Sequence, residues 1–349
     1  MSSSRLQVAA VVSFYMVAAL VMVFVNKAVL NTTPDLPLSF LFIQLSIAVV
    51  LLHIASWIVP NKVVLPKPDL DVAYKLLPCV LVNVIGLVFN TLCLRAVDAS
   101  FFQIARGLVL PLTIGVSSAV THSRPSRAVI VAAAIVTAGF FVGVSPGAIF
   151  SSSTSSAAST THASRSIDAT ILALAYGVMS SLMIALHAVL IKSAHEYVDN
   201  SSIKLAYWTN LVSAVMLLPF VFFTGELDKL MAPRLAEEWE VFVIGSAITG
   251  FFGFLLCMAG LLSIKVTSPV THMFSSAARS VIQTVLGVMI FGDIISANRG
   301  LSILIITLGT LYYTWIKSSG GPPRGAVALP PSPKTAHDME KQALAKSES

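Results

Sequence analysis

Arg279 stands in the run Ser275-Ser276-Ala277-Ala278-Arg279-Ser280, inside an otherwise apolar stretch. A guanidinium carries its N–H donors in a planar fork that matches the oxygens of a phosphate. In the middle of a bilayer it costs from about 2.5 to more than 10 kcal/mol, depending on the reference state. Such a residue needs an anion, a set of carbonyls or a wet cavity, and no acid stands near it in the sequence. Its small neighbours leave room for a ligand and let helices approach closely. The pattern predicts a cationic anchor for phosphate; the competing reading is an arginine satisfied by carbonyls at a helix end. Ser276 and Ser280 flank the anchor and are candidate contacts for a sugar or a base.

Two further cations lie in apolar segments. Arg106, in FFQIARGLVLPLTIGV, is expected about two turns into its helix, as a second phosphate contact or a structural arginine. Lys27 follows Asn26 near the end of the first apolar segment. It reads either as a lysine whose head reaches the interface or, with Asn26, as a phosphate and sugar contact. Tyr207, Trp208 and Asn210 form a third group. Aromatic rings can stack on a base and a carboxamide offers paired donors and acceptors to its edge. The same aromatics serve equally as interfacial anchors, and Asn210 as a bond between helices. Asn83 and Asn90 read as polar contacts between packed helices.

Catalysis is not indicated. His53, His187 and His272 have no carboxylate or second histidine at metal-ligand spacing. Cys79, Cys93 and Cys257 all lie in apolar segments, odd in number and without disulfide or zinc spacing. Phosphate-loop motifs are missing, and acids are nearly absent from the apolar segments, which disfavours ATP-driven and proton-relay pumps. Neither an enzyme, a resident metal nor a cofactor is expected.

These residues must be positioned by membrane helices. The 349-residue chain is 56% hydrophobic and only 11% charged, with mean hydropathy +0.86. Soluble domains carry about 25% charged residues, so the lipid bilayer is the solvent this chain can tolerate. The net charge of +6 sits mostly in loops and the C-terminal stretch, where it sets orientation rather than binding nucleic acid. At about 20 apolar residues per span, the sequence predicts an all-α integral membrane protein with ten transmembrane helices. The spans are 8–30, 38–59, 72–94, 100–120, 128–144, 169–191, 203–223, 241–262, 268–291 and 301–316. The first is read as a signal anchor, not a cleaved leader.

Lys62, Lys67, Arg124, Arg127, Lys204 and Lys265 fall on one side of this topology. The acid-rich loop with Glu226, Asp228, Glu237 and Glu238 falls on the other. Positive residues stay inside, which places both termini in the cytosol. A Ser/Thr/Ala-rich linker then separates two five-helix sets. The expected organisation is a first repeat over 1–148, a flexible lumenal linker over 149–168, a second repeat over 169–318 and a disordered cytosolic tail over 319–349. An odd helix number per set inverts the second relative to the first, giving a 5+5 inverted repeat of the secondary-transporter kind.

The strings VFVNKAVL (23–30), FNTLCLRAVDASFFQIAR (89–106), the Leu-Pro and Gly-Glu-Leu of 218–227, ITGFFGF (248–254) and IKVTSPVTH (264–272) resemble the drug/metabolite transporter superfamily. That group contains the nucleotide-sugar transporters and triose-phosphate translocators. The likeness covers about residues 10–317 and is greatest to the GDP-fucose branch. It implies an inverted fold around a central cavity, alternating access in a Golgi membrane, and exchange of a nucleotide sugar for a nucleoside monophosphate. It leaves room for a homodimer. Where GDP-sugar carriers have Phe-Tyr-Asn-Asn, read as guanine recognition, this chain has Tyr207-Trp208-Thr209-Asn210. Where they have a Gly-x-x-Lys-type element whose lysine meets phosphate, it has Ser276-Ala277-Ala278-Arg279. The alternatives left open are exchange of a UDP-sugar or sugar phosphate and, from another class, a non-transporting membrane scaffold.

Overall fold

The computed structural model describes residues 2–144, 160–231, 238–266, 269–293 and 295–319. Described residues form helices and no strands. In chain order they are α1 (Ser2–Thr32), α2 (Pro37–Ile58), α3 (Leu70–Ala96), the short α4 (Ala99–Ala105), α5 (Val109–Thr121), α6 (Arg127–Gly143), α7 (Thr160–Ala194), α8 (Ser202–Phe223), the short α9 (Glu226–Leu230), α10 (Trp239–Val266), α11 (Pro269–Phe291) and α12 (Ala297–Ser319). Eight helical stretches among them are long and apolar enough to cross a membrane, and Arg127–Gly143 and Ala278–Phe291 are shorter apolar ones. Residues 149–159 of the expected linker and 320–349 of the expected tail lie outside the described residues.

Helix ends follow local chemistry. Pro37 opens α2, where a missing N–H costs nothing. Asp69 caps α3 by accepting the Asp71 N–H at 2.9 Å. Ser126 and Ser201 accept from Val129 and Lys204, both at 3.4 Å, at the starts of α6 and α8. The main departure from the expected spans is the fourth. Its helix is interrupted at Arg106-Gly107-Leu108 and divides into α4 and α5. Pro111 explains the break, since it has no N–H to bond back to Gly107. Arg106 therefore sits at a helix junction, not two turns inside a helix.

Helices run alongside one another in pairs: α6 with α12, α3 with α7, and α1 with α10. The first of these pairs depends on small residues four apart. A Cβ on Gly139 would lie 2.9 Å from the Ile306 side chain, and Ser302 Oγ donates to the Gly139 carbonyl at 2.6 Å. Phe40, Phe102 and Phe242 anchor one buried cluster, with Leu30 and Ile104. Trp208, Leu217, Leu76 and Cys79 belong to a second, where α2, α3 and α8 meet. Phe222, Phe223 and Met289 are mostly exposed, as suits helices whose outer faces meet lipid.

We call the end of the bundle where α1 stops and α2 starts the upper end. Four polar devices gather there. Lys27 Nζ donates to the carbonyls of Leu94 and Val97 at 2.9 and 2.7 Å and of Arg95 at 3.4 Å, at the end of α3. Glu226 accepts the N–H groups of Leu38 and Ser39 at 3.2 and 2.7 Å, at the start of α2. Arg299 pairs with Asp98 at 3.3 Å and lies 4.9 Å from the Phe101 ring centroid. Gln103 donates to Gln283 at 3.1 Å, joining α4 to α11.

Candidate functional site

Arg106 and Arg279 come from neighbouring helical elements, close enough that their charges repel. Arg106 is placed by the α4–α5 junction, with its guanidinium carbon 5.3 Å from the Phe102 ring centroid. Arg279 comes from the middle of α11. The Nε of each is buried and has no hydrogen-bond partner. Neither residue makes an ion pair among the described residues. Two like charges held together in low dielectric call for an anion between them. The Gln103–Gln283 bond lies about one helical turn above both arginines.

Below and beside Arg106 is a cavity of about 200 Å³ between α3 and α7. Asn83 and Asn90 of α3, His187 of α7 and Arg106 supply its polar groups, and Leu87, Met183 and Ile184 much of its apolar wall. The helices are held close at its wall, since a Cβ on Gly86 would meet the Met183 Cβ at 3.0 Å. Three buried polar atoms of the lining residues have no partner: Asn90 Oδ1, His187 Nε2 and Arg106 Nε. An unmet buried polar group costs about 1–3 kcal/mol. Asn90 is thus not the helix-to-helix contact expected of it.

The remaining candidates are distributed differently. All three donors of Lys27 go to α3 carbonyls, and the residue is only 7% exposed. Asn26 Oδ1 accepts from Gln44 Nε2 at 2.7 Å, and the same amide reaches Thr249 Oγ1 at 2.6 Å. Asn26 and Lys27 therefore brace α1 against its neighbours. Asn210 donates to the Ala206 carbonyl one turn back at 2.8 Å. Trp208 is buried in the core, and Tyr207 packs against His53 with ring centroids 5.3 Å apart. Ser280 is half-buried beside Arg279; the side chain of Ser276 lies outside the described residues. Of the nine candidates, Arg106, Arg279 and Ser280 stand at the arginine pair. Asn90 and His187 were not expected to share a cavity, because their convergence depends on α3 packing against α7, which no local pattern encodes.

The arrangement is that of a membrane carrier with a cationic centre. The sequence profile of the Triose-phosphate Transporter family matches residues 6–314, and the chain belongs to that family. Among its relatives, GDP-fucose transporter 1 of Monosiga brevicollis is 29% identical, over 89% of this chain and 90% of its own. GDP-fucose transporter 1 of Mus musculus is 30% identical, over 89% and 84%. The Golgi GDP-fucose transporter of Drosophila melanogaster is 28% identical, over 88% and 89%.

Proposed function

We propose that the chain is a Golgi nucleotide-sugar antiporter that brings GDP-fucose, or a related GDP-sugar, into the lumen in exchange for GMP. The observation that carries this reading is the Arg106–Arg279 pair, two half-buried guanidiniums whose Nε atoms are buried and which pair with no carboxylate among the described residues. Their forked donors suit the diphosphate of a nucleotide sugar and the phosphate of a nucleoside monophosphate alike. Exchange follows from the same charge. An empty site with two unpaired cations crosses the low-dielectric interior poorly, so the loaded forms interconvert faster. We read the ten apolar helices as a 5+5 inverted repeat with both termini cytosolic, which makes the upper end lumenal. The links at that end then hold the carrier closed to the lumen, and return requires them to part.

Proteoliposomes loaded with GMP test the proposal. GDP-fucose uptake should be many times faster than into empty liposomes; equal rates for every sugar nucleotide tried sink it. A second reading is motivated by α8, where Trp208 is buried and the Asn210 amide is bonded within its own helix. Neither is free for guanine in this conformation, so a UDP-sugar or a sugar phosphate becomes a competitor for the site. Thermal stabilisation by GMP but not by UMP or inorganic phosphate separates the two, because a ligand at a hundred times its Kd stabilises by about 2.7 kcal/mol. No stabilisation by any of these anions returns the chain to the scaffold class.

A further inference from the structure

Resting on the nucleotide-sugar reading, we infer that the cavity of Asn83, Asn90 and His187 takes the sugar ring and recognises a 6-deoxyhexose by matching its hydroxyls and its methyl group. Its volume of about 200 Å³ leaves room for one monosaccharide ring. Its polar inventory is incomplete in a particular way. Arg106 Nε offers a donor, Asn90 Oδ1 an acceptor and His187 Nε2 either, and none has a partner. A phosphate satisfies only the donors. Hydroxyl groups donate and accept, so a sugar satisfies all three. Among the described residues the lining contains no Phe, Tyr or Trp, and these residues give a nucleobase no ring to stack on. Leu87, Met183 and Ile184 instead give an aliphatic wall that suits a deoxy carbon. Arg106 belongs both to this cavity and to the arginine pair. A diphosphate held between the arginines therefore delivers its sugar to the α3–α7 side.

The test uses the full-length carrier in proteoliposomes. Asn90→Leu and His187→Leu are assayed for GDP-fucose/GMP exchange and for GMP/GMP exchange, which involves no sugar. The KM for GDP-fucose should rise about tenfold in each variant, while GMP/GMP exchange stays within about twofold. His187→Gln, which keeps a donor and an acceptor, should recover most of the loss. Parallel loss of both exchanges, or no change in either, overturns the assignment. A measurement on the wild-type carrier covers variants that fail to fold. Inhibition of GMP exchange by GDP-fucose should exceed that by GDP-L-galactose, whose sugar differs by one hydroxyl on C6, by about tenfold. Equal potency of GDP-fucose, GDP-L-galactose and GDP overturns the pocket. A wild-type carrier that moves no GDP-sugar overturns the functional reading itself, and the pocket with it.

Discussion

Arg299 and Arg279 are arginines in neighbouring helices of the same bundle, and their surroundings are opposite. Arg299 is 6% exposed, pairs with Asp98 and rests on Phe101. Arg279 has the repulsive Arg106 charge nearby and makes no ion pair among the described residues. The first is paired inside the protein, through a carboxylate and a ring, and its energy goes into holding the upper end together. In the proposed reading the second is completed by an anion. Pairing within the protein, rather than burial alone, separates a structural arginine from a ligand-binding one.

The contrast can be broken by substitution. Arg279→Ala should have the largest effect: exchange falls at least a hundredfold, matching loss of a charge-assisted contact of about 3 kcal/mol, while thermal stability is kept or rises. An unchanged exchange rate would place the anion elsewhere. Lys27→Met should lower stability by about 3 kcal/mol, since it strips three α3 carbonyls of their donor at about 1 kcal/mol each. It should leave GMP affinity within about twofold in the protein that still folds. Arg299→Ala should lower stability by about 1–2 kcal/mol, combining a half-exposed ion pair with a ring contact. Binding of GMP should survive; its loss would erase the distinction from Arg279. The smallest effect is expected for Gln103→Leu, about 1 kcal/mol. It should appear as faster hydrogen exchange in residues 33–39, because a link across the upper end is gone.

Much of the helix layout was legible in the sequence because lipid enforces a length. The expected span 38–59 became Pro37–Ile58, and 203–223 became Ser202–Phe223. The α4–α5 junction was not, because the effect of Pro111 on Gly107 competes with an unbroken apolar run. Arg279 was legible as a cation with no acid nearby in sequence, and among the described residues it makes no ion pair. Lys27 looked similar by the same criterion. Its partners lie at the end of α3, 67 to 70 residues away, and carbonyls leave no mark on a sequence. The cavity's polar groups come from α3, the α4–α5 junction and α7, so only packing could assemble them.

The carboxylate of Glu226, 4% exposed, completes the start of α2 from 187 residues further along the chain. A ribosome adding about 5–20 residues per second needs roughly ten to forty seconds to cover that interval. For that time the first turn of α2 sits at the membrane surface with its N–H groups served by water or lipid headgroups. The nascent protein cannot seal its upper end until α9 has been made. Biogenesis therefore passes through a state in which that end is open.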